Sequence, residues 1–274
     1  MKKKVLIIFK YIHEWNVDVT ETFSKYYDTD FLYISDFKNK NFTEIINAIN
    51  NLIKSKGIEI VVFDAGYLRF INLFFIKKIN SKKKILMTAD NFHLFELNSI
   101  TANACDIVLC DDPFSTLKFK EKGYESFTFF QIHHQTDSAS SKTNKISELT
   151  KINKNNNEKK EIDVLFFGNL TPDRKNILDY IVKEGIHLKN VGYEENVLGL
   201  PQNELWELIK KSKIVINLSK SRSSVVQNYA SENVFKFAYQ LKGRILLAGF
   251  HGVACVSEYS PGQELLFNED ELPT

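Results

Sequence analysis

The stretch Asp163-Val-Leu-Phe-Phe-Gly-Asn-Leu-Thr-Pro-Asp-Arg-Lys175 decides the fold of this chain. Its apolar run predicts a buried β-strand that ends at Gly168-Asn169, and the short polar loop after it leads into a helix that opens at Asp173 and Arg174. A strand, a glycine turn and a helix N-terminus in this order form a local geometry that can receive a phosphate group. The stretch therefore predicts an α/β unit that binds its ligand at the carboxyl ends of its strands.

Further segments downstream place polar groups at predicted strand ends. Lys213-Ile-Val-Ile-Asn-Leu-Ser219 is a second buried strand, and Val234–Leu241 has helical spacing. We expect a strand at Arg244–Ala248, a tight loop at Gly249-Phe-His-Gly252 and a last strand at Ala254–Val256. Because open α/β sheets bind ligands at the carboxyl ends of parallel strands, these polar groups are candidate ligand contacts.

The first half of the chain alternates between apolar, β-branched runs and segments with helical spacing, such as Val5–Phe9, Phe42–Lys56 and Ile58–Phe63. Such alternation predicts a parallel sheet with right-handed crossovers. Residues 136–160 contain Ser, Thr, Asn and Lys and no aromatic residue, which predicts a flexible linker. The predicted fold is therefore α/β, with Rossmann-like domains at residues 1–135 and 161–274.

Composition limits the class of protein. The 274 residues are 43% hydrophobic and 26% charged, and the net charge of +2 gives no preference for a polyanion, so no nucleic acid partner is expected. The lysine clusters at 2–4, 77–78 and 82–84 fit solvated helix ends and loops better than a membrane or polyanion patch. Cys105, Cys110 and Cys255 predict buried thiols in a reducing compartment, without zinc spacing.

The first apolar run, Val5–Phe9, is too short for a signal-peptide core or a membrane span, so we expect a cytoplasmic protein. Walker, Gly-x-Ser-x-Gly and zinc-protease motifs are absent, which excludes P-loop NTPases, α/β-hydrolases and metalloproteases of these kinds. The absence of Gly-x-Gly-x-x-Gly argues against an NAD enzyme.

From Asp163 to Phe267 the order and spacing of these segments resemble the nucleotide-sugar-binding half of group 1 glycosyltransferases of the GT-B fold, with the spore-maturation-like branch as the nearest subgroup. The resemblance implies two Rossmann-like domains facing a cleft and a nucleotide diphosphate sugar as donor. It implies neither a metal nor another cofactor. The acceptor would be a cell-envelope glycan, a lipid or a protein, so peripheral membrane contact is also expected. The chain ends soon after Phe267, which predicts a compact or C-terminally truncated member, and the oligomeric state stays open.

The predicted donor-binding residues lie at strand ends or in the loops and helix starts that follow them. Arg174, or Lys175 beside it, and Arg244 would contact phosphates. A ring after a glycine would stack on the base, and polar residues of the loop after Ser219 would reach the sugar. Each position also has a purely structural interpretation, such as a plain βα turn, a surface tyrosine or a helix-end charge. The full set is Gly168, Asn169, Arg174, Gly192, Tyr193, Asn217, Ser219, Arg222, Asn228, Glu232, Arg244, His251 and Gly252.

Acidic residues follow the strands of the first half at Asp64, Asp90, Asp111 and Asp112. An inverting glycosyltransferase needs a general base near the acceptor hydroxyl, and Asp90 is the best candidate, with His93 second. Strand-end aspartates also cap helices.

Many retaining members carry paired glutamates, but the matching positions here are Tyr239 and Leu247, so the stereochemistry stays open. Two rival functions remain: a non-catalytic nucleotide- or glycan-binding module of the same fold, and a sugar-nucleotide epimerase.

Overall fold

The computed structural model describes residues 2–10, 14–64, 71–89, 91–129, 160–193, 200, 202–220, 239–268 and 270–272. For residues 14–18, 92, 93, 193, 202 and 203 it describes only the backbone. The chain divides into two compact units, Met1–Gln131 with Ser223–Gln240, and Ile132–Arg222 with Leu241–Thr274. The sequence-based prediction placed all of residues 161–274 in one domain, whereas Gln240 belongs to the first unit. Most of the predicted linker at 136–160 lies outside the described residues.

The first unit contains a six-stranded parallel sheet in the order β2-β1-β3-β4-β5-β6. Its strands are β1 Lys4–Phe9, β2 Asp28–Tyr33, β3 Ile60–Asp64, β4 Lys83–Thr88, β5 Ile107–Cys110 and β6 Ser126–Thr128. The helices are α1 Glu14–Tyr26, α2 Phe42–Lys56, α3 Leu73–Lys78, α4 Asn91–Ala102 and α5 Pro113–Glu121.

Helix α2 shows how local sequence produces this layer. Asn41 and Glu44 form a capping box at its start, and Gly57 ends it in the left-handed conformation with φ +66°. Its isoleucines recur at helical spacing and are buried against the sheet. Because helices return the chain from the carboxyl ends of the strands to the amino ends, every βα loop opens at the carboxyl edge.

The second unit contains a four-stranded parallel sheet in the order β10-β9-β7-β8. Its strands are β7 Ile162–Asn169, β8 Leu188–Tyr193, β9 Ser212–Asn217 and β10 Ala254–Ser257. Helices α6 Pro172–Lys183, α7 Gln202–Lys210 and α8 Gly243–Phe250 connect or flank them. Leu165, Phe167 and Val215 lie in its core.

The predicted strand at Arg244–Ala248 is wrong, because Gly243–Phe250 forms helix α8. Burial explains the difference: Arg244, Ile245, Leu247 and Ala248 are buried and follow helical spacing. A short apolar run fits a buried strand and a buried helix equally well. The helix predicted at Val234–Leu241 falls outside the described residues except for 239–241, which are not helical.

In the described residues no helix is long and apolar enough to cross a membrane. All three cysteines are unpaired, and Cys110 is buried as predicted, whereas Cys105 and Cys255 are half-buried. Burial raises the pKa of each thiol to about 12, so the thiols are protonated at neutral pH.

Candidate functional site

The carboxyl edge of the second sheet is formed by two facing glycines. Gly168, at the end of β7, has a φ of +117° and pairs with Gly192 on β8. A Cβ atom on Gly168 would collide with Nη1 of Arg244, and one on Gly192 would approach the carbonyl oxygen of Gly168 to 2.9 Å. Both positions therefore need glycine, and the backbone at these two positions is half-buried.

Helix α6 begins immediately after this turn. The Thr171 hydroxyl accepts the N–H of Arg174 at 3.4 Å and caps the helix, and Pro172 follows it. Asp173 lies in the first turn, where its carboxylate forms an ion pair with the ammonium group of Lys220, with Oδ2 and Nζ 2.5 Å apart. The N-terminus of α6 offers an anion the positive end of the helix dipole and its first backbone N–H groups, with the Lys220–Asp173 ion pair beside them.

Arg174 is 4% exposed and holds strand ends together. Its Nη1 donates to the carbonyl oxygen of Asn169 at 2.7 Å. Its Nη2 donates to the carbonyl oxygens of Leu218 at 3.0 Å and Lys220 at 2.6 Å. The guanidinium therefore links the end of β7 to the segment after β9.

Arg244 enters the same edge from the first turn of α8. It donates from Nε to Oδ1 of Asn217 at 2.9 Å, from Nη1 to the carbonyl oxygen of Phe167 at 3.0 Å and from Nη2 to that of Leu218 at 2.9 Å. Its guanidinium also lies 5.5 Å from the ring centre of Phe166. Both arginines thus share one acceptor, the carbonyl oxygen of Leu218.

This arrangement concentrates positive charge. Burial, and then the neighbouring charge of Arg174, lower the pKa of Arg244 to about 9, against weaker attraction from Glu258. Arg244 remains protonated at neutral pH, because its pKa stays above 7. Among the described residues of this edge, Arg174, Arg244 and Lys220 outnumber the carboxylates of Asp173 and Glu258, so its net charge is positive. A bound anion would lower the cost of holding two guanidinium groups together.

Asn217 connects three elements at this edge. It is fully buried, and its Nδ2 donates to the hydroxyl oxygens of Ser219 at 2.9 Å and Ser257 at 2.8 Å. Ser219 in turn donates to the carbonyl oxygen of Glu258 at 2.8 Å. These bonds occupy Asn217 and Ser219 within the protein, so their observed contacts are structural.

The structure thus brings together Gly168, Asn169, Arg174, Gly192, Asn217, Ser219 and Arg244. His251 and Gly252 lie elsewhere, because they follow the C-terminus of α8 and precede β10, at the amino edge of the sheet. There the ring of His251 lies 6.1 Å from that of Trp206. The prediction that Gly249–Gly252 form a loop at the carboxyl end of a strand was wrong, because the segment before this loop is helix α8.

Several predicted contacts lie outside the described residues: Asp90, Arg222, Asn228 and Glu232, together with the side chains of His93 and Tyr193. Sequence reasoning missed Ser257 and Glu258. Glu258 accepts the backbone N–H of Lys220 at 2.9 Å through Oε2. The only signal was their position at the end of the last predicted strand.

The carboxyl edge of the first sheet carries its own polar network. Asn91 donates through Nδ2 to Thr88 Oγ1 at 2.8 Å and to Asp111 Oδ1 at 3.0 Å, and Gln240 donates to Asp111 Oδ2 at 3.1 Å. Asp112 accepts the N–H of Ser115 at 2.7 Å and caps α5, as the structural alternative proposed. Asp64 is buried at the end of β3. Within the described residues no group of His, Cys, Asp and Glu is arranged to hold a metal ion.

No protein-family model matches the chain, and no curated protein matches it. Solved structures do. A Listeria monocytogenes protein assigned as a UDP-N-acetylglucosamine 2-epimerase is 12% identical with a TM-score of 0.51, over 96% of this chain and 81% of that one. The S. aureus MnaA–UDP co-structure is 10% identical with a TM-score of 0.51, over 100% and 84%. A glycosyltransferase from Rickettsia africae is 11% identical with a TM-score of 0.49, over 99% and 83%.

At sequence identities this low, structural similarity shows a shared fold and not a shared activity. The chain has an α/β fold with two parallel sheets, of the GT-B-like kind found in these structures.

Proposed function

We propose that this protein is a metal-independent glycosyltransferase that binds a nucleotide diphosphate sugar at the carboxyl edge of its second sheet. The observation that carries the proposal is the pair of buried arginines, Arg174 and Arg244, converging on the Leu218 carbonyl oxygen beside the α6 N-terminus. The acceptor would be a cell-envelope glycan, a lipid or a protein.

In this proposal, the two arginines hold the strand ends in place and supply positive charge to the site. Their N–H groups already bond to backbone carbonyls, which fixes the ends of β7 and β9. Their fixed charges and the helix dipole stabilise the diphosphate as it leaves, and Lys220 exchanges its ion pair with Asp173 for a contact with the diphosphate. Direct contacts come from backbone N–H groups of the turn after Gly168 and from the ammonium group of Lys220.

Nucleotide binding tests this directly. Thermal-shift and calorimetric titrations with UDP, GDP, ADP, CMP and dTDP, alone and as sugar conjugates, should give saturable binding of at least one. Ligand at about 100 times Kd should add roughly 2.7 kcal/mol of stability. The proposal fails if none shifts the melting temperature at millimolar concentration.

Lys220→Gln locates the site. We expect its Kd for the nucleotide to rise roughly ten- to hundredfold, because a charge-assisted contact contributes about 1.5–3 kcal/mol. Lys189→Gln removes the same charge from an exposed position of β8 and should leave Kd unchanged. Equal effects of the two substitutions would indicate general charge rather than this site.

The acceptor side rests on Asp90, whose role as general base remains a prediction. Asp90→Asn should abolish sugar transfer and leave nucleotide affinity nearly unchanged, because only proton transfer in the transition state is lost. A transfer assay paired with calorimetry measures both. Full activity in Asp90→Asn would exclude Asp90 as the general base and make Asp64, Asp111 and Asp112 the next candidates.

A second candidate is a sugar-nucleotide epimerase, favoured by the two structures with a TM-score of 0.51. Proton NMR distinguishes the two functions. An epimerase converts a nucleotide sugar into its epimer with no acceptor present, whereas a glycosyltransferase leaves the donor intact or slowly hydrolyses it.

A further inference from the structure

The amino edge of the first sheet is strongly basic. The strands β1 and β4 begin there, and the helices α1, α2 and α3 end there, with one lysine in the last turn of α1 and two in the last turn of each of the others. We call this surface the basic edge. It comprises Lys2, Lys3, Lys4, Lys25, Lys54, Lys56, Lys77, Lys78, Lys82, Lys83 and Lys84.

Some of these lysines stabilise helix ends. Nζ of Lys2 donates to the carbonyl oxygens of Ser24 and Lys25, each at 3.0 Å. Nζ of Lys4 donates to that of Lys56 at 2.8 Å, at the end of α2. Such contacts complement the negative end of the helix dipole and hold the ends of the helices in place.

Other lysines of the basic edge project into solvent. Two are neutralised, Lys56 by Asp30 at 2.6 Å and Lys82 by Glu59 at 3.2 Å. Among the described residues, the remaining exposed ammonium groups form no ion pair; they belong to Lys3, Lys25, Lys54, Lys77 and Lys78. Among the residues that the structure describes, the carboxylates of this region are Asp28, Asp30, Glu59 and Asp106, and the eleven lysines outnumber them.

The basic edge is local. At the far end of the same sheet edge, Lys120 and Lys122 alternate with Glu121 and Glu125. The whole chain has a net charge of only +2, so the concentration of lysines at the basic edge is an asymmetry and not a general excess. An asymmetric charge of this kind orients a protein against a negatively charged surface.

From the sequence alone, the lysine clusters at 2–4, 77–78 and 82–84 fitted solvated helix ends, but the structure gathers all three at one sheet edge. We propose that the basic edge binds the surface of an anionic phospholipid bilayer. Tyr26, the last residue of α1, is 71% exposed beside Lys25. An aromatic ring among lysines is typical of the membrane interface, where the ring enters the headgroup region and the ammonium groups meet phosphates. This favours a bilayer over a nucleic acid, and the inference does not depend on the proposed enzymatic function.

Vesicle co-sedimentation tests the inference on the full-length protein. Vesicles of phosphatidylcholine with phosphatidylglycerol should bind the protein at low salt and release it at high salt, and vesicles of phosphatidylcholine alone should not bind it. Each lysine near an anionic membrane contributes about fivefold to binding, so Lys54→Gln/Lys77→Gln/Lys78→Gln should weaken binding roughly a hundredfold. Tyr26→Ser should weaken it severalfold with no change in charge.

The matched control is Lys183→Gln/Lys189→Gln/Lys211→Gln, which removes three exposed lysines from the second unit. It should bind the vesicles as the unaltered protein does, and the thermal unfolding of both variants verifies that they fold. The inference is overturned if the two triple variants bind equally, or if the phosphatidylcholine vesicles bind as well as the anionic ones. It is also overturned if a short double-stranded DNA binds through the basic edge while vesicles do not.

Discussion

Gly168 is the residue at which backbone conformation and side-chain packing constrain each other most tightly. Its φ of +117° is strained for any other residue, and Nη1 of Arg244 occupies the space that a Cβ atom would need. Gly168→Ala should therefore lower the free energy of unfolding by about 2 kcal/mol or more. Urea unfolding followed by circular dichroism measures this loss.

Gly249 supplies the matched control for Gly168. It lies exposed in α8, and no atom lies within 4 Å of the position where a Cβ would stand. Gly249→Ala should leave stability unchanged or raise it by up to about 1 kcal/mol, because alanine favours the helix. A loss in Gly249→Ala as large as in Gly168→Ala would contradict the steric explanation.

At the scale of elements, His251 couples the end of α8 to pH. Burial, and then the nearby charge of Lys210, lower the pKa of His251 below its usual 6.5. The unfolded chain then binds a proton more readily than the folded one. The contribution of His251 to stability is therefore present above the unfolded pKa and decreases as the pH falls below about 6.5.

His251→Gln removes this titration. The substitution should flatten the decrease in unfolding free energy between pH ~7.5 and pH ~5.5, by less than roughly 1 kcal/mol for a half-buried group. Chemical unfolding at the two pH values measures it, and His187→Gln, at an exposed histidine before β8, is the control. An unchanged pH profile in His251→Gln would assign the decrease to other groups.

Elements with one unambiguous pattern could be predicted from the sequence. The continuous apolar runs of β1, β7 and β9 fit buried parallel strands, and their strand assignments are confirmed. The apolar residues of α8 fit two periods, and only packing decided between them. The interactions of Arg174 and Arg244 with backbone carbonyls also escaped prediction, because sequence indicates charge but not which carbonyl oxygen lies within reach.

At the scale of the whole molecule, the two units carry their positive charge at different edges of their sheets. The first unit carries the basic edge, whereas the second carries the electropositive carboxyl edge at Arg174 and Arg244. The alternation of strands and helices was enough to predict two Rossmann-like sheets. The polar network around Asn217 was not predictable, because two of its three side-chain partners lie 27 and 40 residues away along the chain.

Hydrogen exchange with bound nucleotide tests this distribution. Because the contacts proposed for the described residues all come from the second unit, a saturating nucleotide should slow amide exchange in β7, β9 and the first turns of α6 and α8. Exchange in β1 and β3 of the first unit should not change. Ligand binding stabilises the cooperative unit that holds the site, so the protection should extend through the core around Leu165 and Val215. Mass spectrometry of peptic peptides resolves these segments, and protection confined to the first unit would place the nucleotide away from the arginine pair.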